Sequence, residues 1–223
     1  MKIPKTSLDR TVALPGRFDS LFSFPLSNRG YSGVAVYTNS QNIVPQRAEE
    51  GLTGTIQPKP PLNHEERVSP TYPRSEDLEL FPEVDGTTTV DFSALDKEGR
   101  TLVVDFGLFV LINTYCPAET SETRLPFKMN YHLLLEERVR KLIEEEKREV
   151  IVVGDINVAA HPLDHGEGSL ESKQKEFWGH PARAWYRDWL SPNGPMHDVI
   201  RQSWPEREGM YTCEASFRSF MAY

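Results

Sequence analysis

Hydrophobic and polar positions change rhythm several times along the chain. Residues 29–38, RGYSGVAVYT, read as a turn followed by a strand. Gly30 and Gly33 supply permissive backbone there, while Val34, Val36 and Tyr37 suit a pleated surface. From about residue 41 to 82 the rhythm stops. Pro45, Pro58, Pro60, Pro61, Pro70, Pro73 and Pro82 interrupt any periodic pattern, so this stretch is expected to be an inserted loop rather than core. Two dense apolar runs follow, TLVVDFG and LFVLINTYCP, and predict two strands turning near Gly107, at least one of them buried on both faces. Pro126 suits the first turn of a helix running to about Lys147. Leu135, Val139, Leu142 and Ile143 form its apolar stripe, with Glu136–Arg140 and Glu137–Lys141 four apart on the other side. Residues 149–157, EVIVVGDIN, then predict a buried strand with a polar end.

A strand, a long helix and a second strand in this order imply a right-handed crossover joining two parallel strands. Their carboxyl ends lie side by side, with Tyr115 closing the first and Asp155 the second. Open α/β sheets place their chemistry at such ends. Further on, a helical region is broken at Pro181. Trp185 and Trp189, four apart with Leu190 beside them, are expected to be core packing rather than a platform for stacked bases. No internal repeat is visible.

With 223 residues, 38% of them hydrophobic, the chain can bury one sizeable core. No apolar run is long enough to cross a bilayer, and the opening MKIPKTSLDR lacks the apolar stretch of a signal peptide. Cys116 and Cys213 form neither a disulfide framework nor a zinc spacing, which suits a reducing compartment, cytosol or nucleus. The formal net charge of −8 speaks against a protein that lives on non-specific attraction to DNA. It leaves room for a DNA enzyme, whose metal-holding carboxylates are themselves acidic and whose phosphate contacts are local.

Candidate chemistry concentrates in VVGDINVAAHPLDH, residues 152–165. Asp155 and Asn157 are two apart and share a face if the strand continues through them. A carboxylate beside a carboxamide suits phosphodiester hydrolysis. The first holds a metal through water or orients an attacking water, and the second donates to an oxygen whose charge grows. The competing reading is a strand end with two turn formers. Tyr115 is either a phenol set against a phosphate oxygen or an ordinary strand tyrosine. His161, Asp164 and His165 read as a metal cluster or, with no third firm ligand, as a structural loop. Cys116 reads better as a small buried thiol than as a nucleophile. No Walker loop, G-x-S-x-G or G-x-G-x-x-G motif is present.

Taken in order, GYSGVAVY, NTYCP, a long charged helix and VVGDINVAAHPLDH resemble the class II apurinic/apyrimidinic (AP) endonucleases related to exonuclease III, within the endonuclease/exonuclease/phosphatase superfamily. YCPA in place of YVPN, the HPLDH continuation and the ending HPARAWYRDWL…GMYTC are most similar to the fungal type 2 branch. The resemblance implies a four-layered α/β sandwich and magnesium-dependent cleavage 5′ to abasic sites, with manganese as an alternative ion. It also implies 3′–5′ exonuclease and 3′-phosphodiesterase work on blocked ends, a nuclear address, a monomer and no membrane partner. Position by position, Tyr115 matches the active-site tyrosine, Asp155 the aspartate that gives or takes a proton, and Asn157 the transition-state asparagine. Asp155 and Asn157 are also the metal-site residues carried over. Tyr31 matches a position touching the DNA backbone, and Arg124 lies where relatives place a DNA-contacting arginine.

The chain departs from that pattern at both ends. It begins just after the family's metal-binding glutamate, and its text changes at Glu214, before the family's final aspartate and histidine. The resemblance therefore implies an incomplete domain over residues 1–213, with a Pro-rich insertion at about 41–82 and a divergent tail at 214–223. It also implies a chain that is inactive or nearly so on its own. Two rival readings stand beside the nuclease: a non-catalytic remnant that binds DNA or a partner, and a member of the same superfamily acting on RNA or phosphoinositides.

Overall fold

A computed structural model describes residues 5–27, 32–87, 91–165, 170, 172, 174–208 and 210. The chain divides into two compact units, Met1–Asn157 and Val158–Tyr223. In the first, a one-turn helix α1 (Arg10–Ala13), capped by Asp9, precedes strands β1 (Phe18–Ser23) and β2 (Val34–Asn39). These two pair antiparallel as a small sheet. Strand β3 (Arg47–Glu50), helix α2 (Phe92–Asp96), β4 (Thr101–Asp105), β5 (Val110–Tyr115), helix α3 (Leu125–Arg140) and β6 (Val150–Asp155) follow. They build a second sheet in the order β3-β4-β5-β6, antiparallel except for the parallel β5–β6 pair.

The hydrophobic periodicity explains the layering. Val34 and Val36 of the small sheet pack against Leu102, Val104 and Phe106 of the large one. Side chains alternate across a strand, so Thr101 and Thr114 face the opposite way, where the phenol of Tyr131 on α3 bonds to both. On the outer side of the small sheet, Tyr37 donates to the Val12 carbonyl of α1 at 3.0 Å. Helix, sheet, sheet and short helix thus make four α/β layers within this unit. At the β4–β5 hairpin Gly107 takes φ +80°, and its N–H is caught by Asp105 Oδ1 at 2.7 Å.

The structure corrects three expectations. First, the Pro-rich stretch holds β3, which extends the sheet beside β4. Second, the charged side of α3 is covered in part. Glu137, Arg138 and the following Lys141 are buried, while the Arg140 side chain stays 40% exposed. Residues 51–82 cover the buried part and are strapped to it by polar contacts. Arg138 donates to the Thr71 carbonyl at 2.6 Å and lies 3.7 Å from Glu49, which the Tyr72 hydroxyl also engages. The Tyr72 ring sits between the guanidinium groups of Arg138 and Arg67, at 4.4 and 4.8 Å. Asn130 exchanges two hydrogen bonds with the Phe81 backbone, and Lys141 pairs with Asp77 at 3.2 Å. At the other end of the loop, buried Asp96 accepts the Leu52 and Thr53 N–H groups, and burial raises its carboxyl above the usual range. Third, β6 is not a buried strand. Among the described residues it pairs with β5 alone, and Ile151 and Val153 are 44% and 41% exposed.

The second unit contains α4 (Gln174–Gly179), α5 (Pro181–Trp189) and α6 (Val199–Ser203). Trp185 and Trp189 are buried and stacked at 5.1 Å, as core packing requires. No helix among the described residues is long and apolar enough to cross a membrane.

Gly154 is the tightest point of the β5–β6 pair. It lies opposite Thr114 at φ +113°, and a methyl group there would overlap the Thr114 carbonyl oxygen. Gly154→Ala is expected to cost about 2 kcal/mol or more, read as a lower urea midpoint. An unchanged midpoint would show that the pair tolerates separation.

Candidate active site

The parallel register sets Tyr115 opposite Asp155 at the carboxyl ends of β5 and β6. One residue on, the Cys116 N–H donates to the Asp155 carbonyl at 2.8 Å, so the two strand ends stay joined. β6 stops at Asp155, and Asn157 adopts a left-handed φ of +54°. Asparagine tolerates that region better than most side chains. The two residues are therefore not brought together by strand alternation, as the spacing suggested, but by a turn. Asp155 Oδ1 accepts the Asn157 N–H at 2.9 Å, and Asn157 Nδ2 donates to the Cys116 carbonyl at 2.8 Å. Tyr115, Asp155 and Asn157 thus converge around the main chain of Cys116. Its thiol is fully buried, and burial pushes its pKa up to about 12, so it packs rather than reacts.

Helix α3 supports the turn from beneath. Lys128 Nζ donates to the Asn157 carbonyl at 2.9 Å, and His132 Nε2 meets the Ile156 carbonyl at 3.2 Å. Burial depresses His132 to about 3, so the ring is neutral at ordinary pH and carries its proton on the nitrogen facing that carbonyl. These two supports were missed in the sequence. Their signal is periodic: Lys128 and His132 continue backward the stripe of Leu135, Val139 and Leu142.

Arg124 ends a short 3-10 turn before α3 and donates to both carboxylate oxygens of Glu98, at 2.7 and 2.6 Å. Its guanidinium lies 3.8 Å from the Phe127 ring centroid. Glu98 also accepts from Arg100, whose other end bonds to the Tyr115 carbonyl. Nothing in the KEGR text, with its ordinary turn composition, marks this cluster. Tyr31 and Cys213 lie outside the described residues. Elsewhere, His161 Nδ1 accepts the Leu163 N–H at 3.2 Å, Asp164 pairs with Arg201, and the His165 ring meets Phe177 edge-on.

No family model matches the chain. Curated relatives do. It is 34% identical over 218 residues to the DNA-(apurinic or apyrimidinic site) endonuclease 2 of Schizosaccharomyces pombe, covering 96% of this chain and 40% of that protein. With the Homo sapiens protein of the same name it is 31% identical over 232 residues, covering 95% and 41%. The chain is homologous to the AP endonuclease 2 proteins. It spans about two fifths of the length of the AP endonuclease 2 relatives it matches. Solved structures agree on the fold. An AP endonuclease from Archaeoglobus fulgidus aligns with a TM-score of 0.59 at 18% identity, over 98% of this chain and 68% of that one. A 3′-5′ exonuclease from Neisseria meningitidis aligns with a TM-score of 0.56 at 20% identity, over 93% and 63%.

The resemblance to the AP endonucleases implies magnesium, and the donors can be tested against it. Asp155 Oδ2 and Asn157 Oδ1 accept no hydrogen bond from the described residues. That provides one carboxylate oxygen and one amide oxygen. Magnesium takes six oxygens in near-octahedral geometry. Among the described residues no group of three or more His, Cys, Asp and Glu is placed to hold an ion. The described donors therefore do not make a magnesium site by themselves.

His132 gives the turn a pH dependence. Between its ordinary pKa of 6.5 and its folded value of about 3, the unfolded chain binds a proton that the folded chain refuses. The stability this residue contributes is present above pH 6.5 and declines as pH falls toward 3. From pH 7 to pH 5 the loss is expected to be about 2 kcal/mol. The stability difference between the protein and His132→Gln, measured by urea unfolding at both pH values, should shrink by that amount. A constant difference would mean that the folded protein accepts the proton.

Proposed function

We propose that this chain carries part of the phosphodiester-cleaving site of a DNA-repair nuclease of the AP endonuclease 2 type. The reading covers cleavage 5′ to abasic sites and trimming of blocked 3′ ends, with magnesium or manganese, by a monomer acting in the nucleus. One observation carries it. Tyr115, Asp155 and Asn157 converge at the carboxyl ends of two parallel strands, in a chain homologous to those enzymes along nearly all its length.

The chemistry follows from what each group can do. The exposed Asp155 carboxylate keeps Oδ2 available to orient a water or take its proton. Asn157 is held by its bond to Cys116, which leaves its second amide hydrogen for a non-bridging phosphate oxygen. Tyr115, opposite Asp155 on the neighbouring strand, supplies a phenol for the same phosphate in this reading. Arg124 and Tyr31 supply backbone contacts in this reading. The ordered turn means that these groups need little reorganisation when the substrate arrives.

Strand cleavage of a duplex bearing one abasic-site analogue tests the proposal. The protein is assayed with magnesium in two forms: this chain itself, and a hybrid in which it replaces the 218 matching residues of the S. pombe relative. The hybrid is expected to nick at the analogue, and its Asp155→Ala variant to lose about a hundredfold or more. The chain itself is expected not to nick, since the two oxygens that the described residues supply do not hold magnesium. A hybrid indifferent to Asp155→Ala would overturn the site. Nicking by the chain itself that Asp155→Ala abolishes would overturn the donor argument and keep the function.

A further inference from the structure

The active-site reading leaves open what aims the Tyr115 phenol. A strand-end tyrosine has two side-chain torsions and one free edge, so its oxygen can sweep a wide arc. In this protein the ring packs against the apolar cluster between the two sheets, and one charged residue engages both its face and its main chain. The Tyr115 N–H donates to the Arg100 carbonyl at 2.8 Å, and the Tyr115 carbonyl accepts from Arg100 Nη1 at 2.9 Å. Arg100 thus brackets the main chain of Tyr115 on both sides. Its guanidinium then lies 5.1 Å from the centroid of the Tyr115 ring. Cation and ring face attract, and the planar guanidinium keeps edge N–H groups for other partners.

Arg100 is itself held. Its side chain is only 6% exposed, and Nε donates to Glu98 Oε2 at 2.6 Å. Glu98 is fixed from two further directions. Arg124 grips both of its carboxylate oxygens, and the Ser32 hydroxyl bonds to its carbonyl. We infer that Arg100 is the positioning residue for Tyr115, and that Glu98 holds Arg100 in that place. A surface ion pair alone would contribute little. Here the pair is largely shielded, and its direction passes through a planar group onto an aromatic face. Lysine cannot substitute, because an ammonium is a point charge with no plane to stack.

The inference rests on Tyr115 being a substrate-contacting group, so the test separates the two. The whole 223-residue chain is prepared with ring-labelled tyrosine and followed by NMR. The Tyr115 signal is the one missing from Tyr115→Phe. In the unsubstituted chain this signal is expected to move when a duplex bearing an abasic-site analogue is added. In Arg100→Lys it should be displaced before any DNA is present, and its response to the duplex should fall by about half or more, with binding about five- to tenfold weaker. Glu98→Gln keeps the guanidinium but removes its anionic anchor, and should give the same changes at smaller size. It also decides the matter if Arg100→Lys does not fold. A Tyr115 signal undisplaced in the variants, or displaced with an unchanged response to duplex, overturns the inference. A signal in the unsubstituted chain that ignores the duplex overturns the reading of Tyr115 beneath it, and takes the inference with it.

Discussion

The parallel pairing of β5 with β6 is the constraint on which the rest depends. Parallel neighbours cannot be joined by a tight turn, so the chain must leave the sheet, run back as α3 and re-enter. That detour places a helix under the sheet and both carboxyl ends at one edge. It also brings Lys128 and His132 beneath the turn that follows β6. The register fixes Tyr115 against Asp155, and Gly154 allows the strands to close to that distance. Candidate site and fold are therefore one arrangement.

Much of this was legible in the amino-acid sequence, because it is local or periodic. The two apolar runs, Pro126 at the helix start and the GDIN text are enough to place the crossover and to put Tyr115 beside Asp155. What could not be read depends on partners distant in sequence. Glu137, Arg138 and Lys141 look like a solvated helix face until residues 51–82 are seen to cover them. The Val-rich run of β6 reads as buried, since composition does not report how many neighbours a strand has. Asn157 falls out of the strand pattern through one backbone torsion, which a period-two reading has no means to anticipate. Arg100 and Glu98 sit in an ordinary turn text, and only the fold brings them to Tyr115.

The cover on α3 is held by charge as well as by apolar contact. Glu49, Arg67, Tyr72 and Arg138 form a shielded cluster whose members each answer another's charge or lone pairs. Burying such groups is expensive, and their mutual attraction roughly offsets it rather than adding a large surplus. What the cluster provides is selectivity of placement. A proline-rich segment with few periodic apolar residues could lie across a helix in many ways. The observed one answers these charges.

β6 carries a further consequence. The strand that bears Asp155 has one sheet neighbour among the described residues, and its Ile151 and Val153 face outward between uncharged neighbours. Among the described residues nothing pairs with the outer side of that edge, and an apolar flank without lysine or proline is the kind of edge to which extended chains add. Colloidal behaviour and chemistry are thus coupled in this molecule. A chain that added to that edge would sit beside the Asp155 carboxylate, so the same strand that carries the candidate chemistry also carries the risk of its occlusion.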